Sequence, residues 1–253
     1  SSKRRCNIVK NVQELSIEDT IPDEKITLML MNDESFGYVD SKKLQSRDKQ
    51  SISKNSAVNK STFDLNVKLQ FDCSTKDELL FFTNKGRVFG EKAWKFANKF
   101  IPIRTYINLS KDEHILKITK KEVDKDLIIT TKHLIKHIKL DSYSKVTNNS
   151  SKAFIKVDDN DKITSIHIQD EEKYISIITE EGKAMTFEVS EIGILGSGGS
   201  KGRLAIPKQQ NIFKSFLTEN LDEELLMITD SGRGRSINIQ DDIEMKKISQ
   251  SPN

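Results

Sequence analysis

Three short turns in this chain are each followed by a cation. In "TNKGR", "TEEGK" and "TDSGR" the residue after the glycine is Arg87, Lys183 and Arg233. Guanidinium and ammonium groups are the protein's phosphate ligands, and repeated placement of them can match a repeated phosphate backbone. Lys85 lies inside the first of these turns, and Lys136 and Arg235 follow two residues beyond the slot in their own units. Connecting segments add more. Residues 41 to 60 hold Lys42, Lys43, Arg47, Lys49, Lys54 and Lys60 against one acid, Asp48. Residues 85 to 104 hold Lys85, Arg87, Lys92, Lys95, Lys99 and Arg104 against Glu91 alone. Lys132, Lys139, Lys201 and Arg203 complete the candidate set. Acids gather elsewhere, in turns such as Asp158 to Asp161, Asp170 to Glu172 and Asp222 to Glu224. The net charge of +3 therefore hides a segregation of sign along the chain. The bland alternative is a set of solvated surface charges.

Other chemistry is less well supplied. The loop "GILGSGGSKG" misses the phosphate-loop spacing, because Gly199 rather than lysine follows Gly198. A flexible surface loop whose Lys201 and Arg203 still meet a phosphate is the better reading. His133 and His137 are four apart but lie in a strand-like run with no cysteine or acid ligand set beside them. Trp94 reads as packing in a connector.

What positions the cations is a repeat. The anchors Met31, Thr83, Thr130, Thr179 and Thr229 lie 52, 47, 49 and 50 residues apart. Each closes an apolar run, as in "LLFFT", "LIITT", "ISIIT" and "LLMIT", dense enough to be a strand buried on both faces. Gly86, Gly182 and Gly232 then supply a turn residue able to take positive φ. Glu34 and His133 hold that slot in the other two units, so those turns are strained or built differently. Alternating stretches such as "LNVKLQFD" precede the buried runs, across acidic turns. About four strands per repeat of this length is the signature of a propeller blade. The fold class is thus all-β: five roughly four-stranded blades in a ring, over residues 1–253, with 1–16 as a linker. Two stacked sandwiches would not explain an unbroken period.

Composition sets the outer bounds. Hydrophobic residues make up 35% and charged residues 31% of the 253. No apolar run is long enough for a membrane helix, and "SSKRRCNIVK" lacks a signal-peptide core. Cys6 and Cys73 lack metal-ligand spacing and suit a reducing, cytoplasmic setting. A central-channel enzyme would need acids or histidines converging from equivalent slots, and the aligned units do not offer them. A protein-interaction platform remains open.

The stretches "IEDTIPDEKITLML", "ELLFFTNKGRVFG" and "ISIITEEGKAMTFEVSEIGILGSGGSKG" resemble the C-terminal domain of type IIA bacterial topoisomerase A subunits. The resemblance implies a β-pinwheel, a propeller-like ring whose blades exchange strands and whose rim binds and bends duplex DNA. It also implies partners: the rest of the A subunit and an ATPase B subunit in a heterotetramer, in the cytoplasm at the nucleoid and away from membranes. No cofactor is expected in this part, with ATP and Mg²⁺ serving the whole enzyme. The family's DNA-cleaving tyrosine directly follows an arginine, whereas Tyr38, Tyr106, Tyr143 and Tyr174 follow Gly37, Thr105, Ser142 and Lys173. The chain therefore reads as a non-catalytic piece. Gyrase A subunits carry a Q-R-R-G-G-K-G box after their first repeat. "LQSRDKQSISK" keeps Gln45 and Arg47 there but not the paired glycines. With five units rather than six, the resemblance leans to topoisomerase IV, with a divergent gyrase as the alternative.

Overall fold

Each strand that opens a hairpin among the described residues has an outgoing antiparallel partner. The computed structural model describes residues 17–42, 66–122, 124–196, 198–228, 234–238 and 244–245, with side chains through residue 223. Five antiparallel hairpins recur in it. They are β1 (Lys25–Met31) with β2 (Ser35–Asp40), β4 (Glu78–Thr83) with β5 (Arg87–Lys92), and β8 (Asp126–Thr131) with β9 (Leu134–Lys139). The fourth joins β12 (Tyr174–Thr179) to β13 (Ala184–Glu188), and the fifth joins β16 (Glu224–Ile228) to β17 (Gly234–Asn238).

Four of the hairpins become four-stranded sheets. On the side of the first strand, each gains the strand that leads into the next hairpin. These inner strands are β3 (Val67–Ser74), β7 (Ile115–Lys120), β11 (Ile163–Gln169) and β15 (Ile212–Thr218). On the other side each gains a two-residue edge from farther on: β6 (Ile101–Pro102), β10 (Lys152–Ala153), β14 (Arg203–Leu204) and β18 (Glu244–Met245). That edge arrives only after the chain has built the following hairpin. β6, for example, follows β5 but pairs with β2. Each blade is therefore completed by its successor, and neighbouring blades are tied by exchanged strands. No helix among the described residues is long and apolar enough to cross a membrane.

The double-sided burial read from the sequence has a direct structural cause. Alternate residues of one strand enter different cores. Leu79 and Phe81 pack with Leu28, Phe36 and Phe96 between the first and second blades, while Leu80 and Phe82 pack with Leu127, Ile129 and Phe154 between the second and third. Ile128 turns from that second core into a third, with Ile175, Ile177 and Phe187. With no solvent face, the strand has no reason to alternate in polarity.

The turns resolve the irregular glycine slots. Gly86 and Gly182 take φ of 75° and 79°, and Glu34 takes φ of 65° in the equivalent place, so the first blade does carry strain there. The third unit avoids it by a shorter turn. Thr130 pairs with Ile135, leaving Lys132 and His133 as a two-residue connection, and neither takes a positive φ. Register thus places Thr131, not Thr130, opposite Thr83 and Thr179 in the repeat. Two of these glycines make a test. A Cβ on Gly182 meets nothing within 4 Å, whereas one on Gly86 would lie 2.1 Å from the Ile155 carbonyl oxygen of the exchanged segment. Gly182→Ala is expected to cost about 1 kcal/mol for backbone strain alone. Gly86→Ala should cost at least ~2 kcal/mol more, because the exchanged segment must move. Urea denaturation of the pair gives the comparison, and equal losses would contradict the strand exchange at Gly86.

Candidate nucleic-acid interface

Strand exchange sends the segments that leave the second, third and fourth hairpins across from one blade to the edge of the preceding blade. Three such connectors are described, and all begin the same way. After β5, a 3-10 turn spans Ala93–Lys95; after β9, another spans Leu140–Tyr143; after β13, a short helix, α2, spans Val189–Ile192, the chain's first being α1, Ile17–Thr20. Apolar residues three apart face inward from each: Ala93 and Phe96, then Leu140, Tyr143 and Val146, then Val189 and Ile192. Phe96 packs edge-to-face on Phe36 at 5.0 Å, on Phe81 at 5.7 Å and on Tyr106 at 5.1 Å. Phe82 meets Phe154 at 5.1 Å and Tyr143 at 6.3 Å. Such pairs add about 1 kcal/mol each beyond area burial. The connectors are consequently pinned, and their polar residues face out.

The charged residues among those facing out are mostly cations. The first connector and its edge expose Lys95, Lys99 and Arg104 with no acid between residues 93 and 104. The second exposes Lys145 and Lys152 against Asp141, and the third exposes Lys201 and Arg203 against Glu191. Lys145 and Lys152 were missed in the sequence reading. Their signal was available: they follow the third outgoing strand much as Lys95 and Lys99 follow the second.

The remaining sequence candidates divide by what already holds them. Lys42, Lys85, Lys99, Lys183 and Arg203 are exposed, with no carboxylate within ion-pair distance among the described residues. Lys95 reaches Glu91 at 2.8 Å and lies 5.9 Å from the Trp94 ring, and Lys139 reaches Asp126 at 2.8 Å. Lys92 is paired with Glu18 and Lys201 with Asp158. Lys132 donates from Nζ to the Asn160 carbonyl at 2.6 Å. Exposed pairs of this kind hold little energy and can be exchanged for a phosphate. Lys43, Arg47, Lys49 and Arg233 lie outside the described residues. Arg235 is on β17, beyond the described side chains.

Three candidates have structural work instead. Arg87 binds Glu113 through Nε at 3.0 Å and Nη2 at 2.5 Å, and its guanidinium lies 4.7 Å from the Phe89 ring. Arg104 donates to the carbonyls of Leu109, Ser110 and Glu113, fixing the loop that carries Glu113. Lys136 must be withdrawn from the phosphate-binding set. It is 0% exposed, and its ammonium donates to the carbonyls of Phe154 at 2.8 Å, Gly198 at 2.7 Å and Ser200 at 3.0 Å. Burial pushes its pKa down to about 8. Its position two beyond the turn slot points it under the glycine-rich loop, which it ties to the second blade's exchanged segment. Among the histidines, His133 Nδ1 meets the Gln210 carbonyl at 2.8 Å and His137 Nε2 meets Asp126 at 2.7 Å.

The arrangement is one of exposed ammonium and guanidinium groups on equivalent outer connectors. A family model described as the DNA gyrase C-terminal domain, β-propeller, matches residues 77–89, 127–170 and 173–207. The A subunit of DNA gyrase from Staphylococcus epidermidis is 25% identical over 247 residues, covering 92% of this chain but 27% of that protein. The chain thus spans about a quarter of that relative's length. The solved C-terminal domain of DNA topoisomerase IV superposes with a TM-score of 0.68 at 18% identity, over 90% of this chain and 73% of that one. A DNA gyrase A C-terminal domain does so at 0.64 and 21%, over 88% and 75%. Repeat, strand exchange and the two superpositions together show the fold of a β-pinwheel, and in sequence the chain is similar to the C-terminal part of DNA gyrase A subunits.

Proposed function

We propose that this chain binds duplex DNA along its outer connectors and bends it, presenting a segment to an attached ATP-dependent strand-passage core of the topoisomerase IV type. The observation that carries the reading is the recurrence of exposed cations on three equivalent connectors, each pinned by apolar residues beneath. Ammonium and guanidinium groups so placed bind phosphates and fix register without reading bases. No long helix is described that could enter a major groove, so sequence preference would come from DNA bendability. In this reading ATP and Mg²⁺ serve the remainder of the enzyme. Its partners are the rest of the A subunit and a B subunit, in the cytoplasm at the nucleoid.

A second reading, gyrase-type wrapping, is favoured by one observation: the curated relative reported above is a gyrase A subunit. Against it stand the five units and the missing glycine pair in "LQSRDKQSISK", a segment outside the described residues. A topology assay separates the two. Relaxed circular plasmid is incubated with the 253-residue chain and a nicking-closing enzyme, and trapped supercoils are read on a gel. Bending without chirality is expected to leave little trapped supercoiling of either sign. A strong positive signal would establish the wrapping reading instead, and failure to bind the plasmid would remove both.

A further inference from the structure

The inner strands converge on a cavity that the outer connectors do not line. Each inner strand carries a β-bulge at the same place, between Val67 and Leu69, Ile115 and Lys117, Ile163 and Ser165, and Ile212 and Lys214. Bulges re-aim the side chains that follow them. The residues just past the four bulges are Leu69, Lys117, Ser165 and Lys214, which pair with Leu30, Phe82, Thr130 and Ile178 respectively. Four separate blades thus bring one equivalent slot to a single cavity of about 420 Å³. Two of the four slots hold lysine.

Among the described residues no acid lines this cavity, although His167, Ser165 and Ser215 do. Lys214 donates to the Thr164 carbonyl at 3.0 Å, which orients its ammonium without neutralising it. Neither Lys214 nor Lys117 has a carboxylate partner among the described residues. The Ser165 hydroxyl accepts from the Ser215 amide at 3.1 Å, and His167 Nε2 meets the Ser215 hydroxyl at 2.9 Å. Burial first, and then Lys117, push the His167 pKa down to about 4, so the imidazole adds hydrogen-bonding capacity but no charge at neutral pH. Two like charges facing one space without a counter-ion raise each other's free energy, and a multivalent anion between them reverses the sign. Hydroxyl and imidazole groups around two ammonium ions are the donor set that phosphate oxygens accept from.

We infer that the cavity ringed by β3, β7, β11 and β15 is a binding site for a small phosphate-bearing anion, held by Lys117 and Lys214 with Ser165 and His167 as neutral partners. A duplex is too wide for a space of this volume, so the site is separate from the proposed rim and does not rest on that reading. Calorimetric titration of the 253-residue chain with pyrophosphate, at ionic strength matched with chloride, tests it. Saturable one-site binding is expected, weakened at least tenfold in the Lys117→Met/Lys214→Met double variant and unchanged in Lys208→Met, which alters an exposed lysine outside both the cavity and the candidate set. The same titration repeated with duplex DNA at saturation should give the same pyrophosphate affinity. Absence of saturable binding to the unmodified chain would overturn the proposal whatever the variants do. So would an unweakened double variant, or displacement of pyrophosphate by the duplex, which would assign these lysines to a DNA surface. Rim binding measured separately survives any of these failures.

Discussion

Glu113→Ala is expected to destabilise the chain by about 3–5 kcal/mol, among the largest losses available from one side chain outside the apolar cores. Glu113 is fully buried, and its carboxylate accepts from Arg87 Nε and Nη2, the Thr83 hydroxyl at 2.7 Å, and the Ser110 amide and hydroxyl at 2.9 and 2.8 Å. Thr83 ends the buried strand and Arg87 opens the outgoing one, while Glu113 sits just before β7. One carboxylate therefore closes the second blade's turn onto the inner strand of the same sheet. Removing it leaves a hydroxyl and a guanidinium facing a void. Glu113→Gln keeps the volume but loses the charge, and should cost less.

The same site fixes an acid response in the unsubstituted chain. Burial alone would raise the Glu113 carboxyl, but Arg87, Ser110 and Thr83 outweigh it and hold the pKa at about 2. The unfolded chain, near the ordinary glutamate value of 4.5, then binds more protons than the folded chain between these limits. The contribution is complete above about pH 4.5 and falls away as pH drops toward 2, reaching on the order of 3 kcal/mol. Denaturant midpoints measured from pH 6 down to pH 2.5 should therefore decline in the unsubstituted chain and decline less steeply in Glu113→Gln. Parallel curves would show that Glu113 is not the group responsible.

Much of this architecture was legible because double-sided burial leaves a run such as "LLFF" with no polar gaps, and a turn such as "TNKG" can only follow it. The shortened third turn was not legible. "TTKHL" can be anchored on either threonine, and only cross-strand pairing selects Thr131. Edge exchange was implied by the family resemblance but not legible in the residues themselves, since two-residue strands such as Lys152–Ala153 carry no period. That gap explains the errors at the candidate site. Arg87 and Lys136 stand in slots that look equivalent to free cations, yet long-range partners 26 and 18 residues away hold them. Lys145 and Lys152 stand in a connector that has meaning only once its destination is known.

The rim carries the second large effect. Lys99, Lys145 and Arg203 lie on three different connectors or their edges, are exposed, and have no carboxylate partner among the described residues. Reversing all three to glutamate is expected to weaken duplex binding by roughly a hundredfold at 0.1 M salt, alike for unrelated sequences, because each lost phosphate contact removes about 0.9 from the salt slope. Lys117 and Lys214 serve as internal controls, since the cavity they line includes none of these three residues. Fold and stability should be retained, as all three are exposed. The most direct measurement is a mobility shift of two unrelated duplexes across a salt series, with the unsubstituted chain and this triple variant side by side. A steep slope shared by both duplexes, falling by about 2.7 in the variant, is the expected result. Binding indifferent to salt, or a variant whose slope matches the unsubstituted chain, would contradict a phosphate track on the outer connectors.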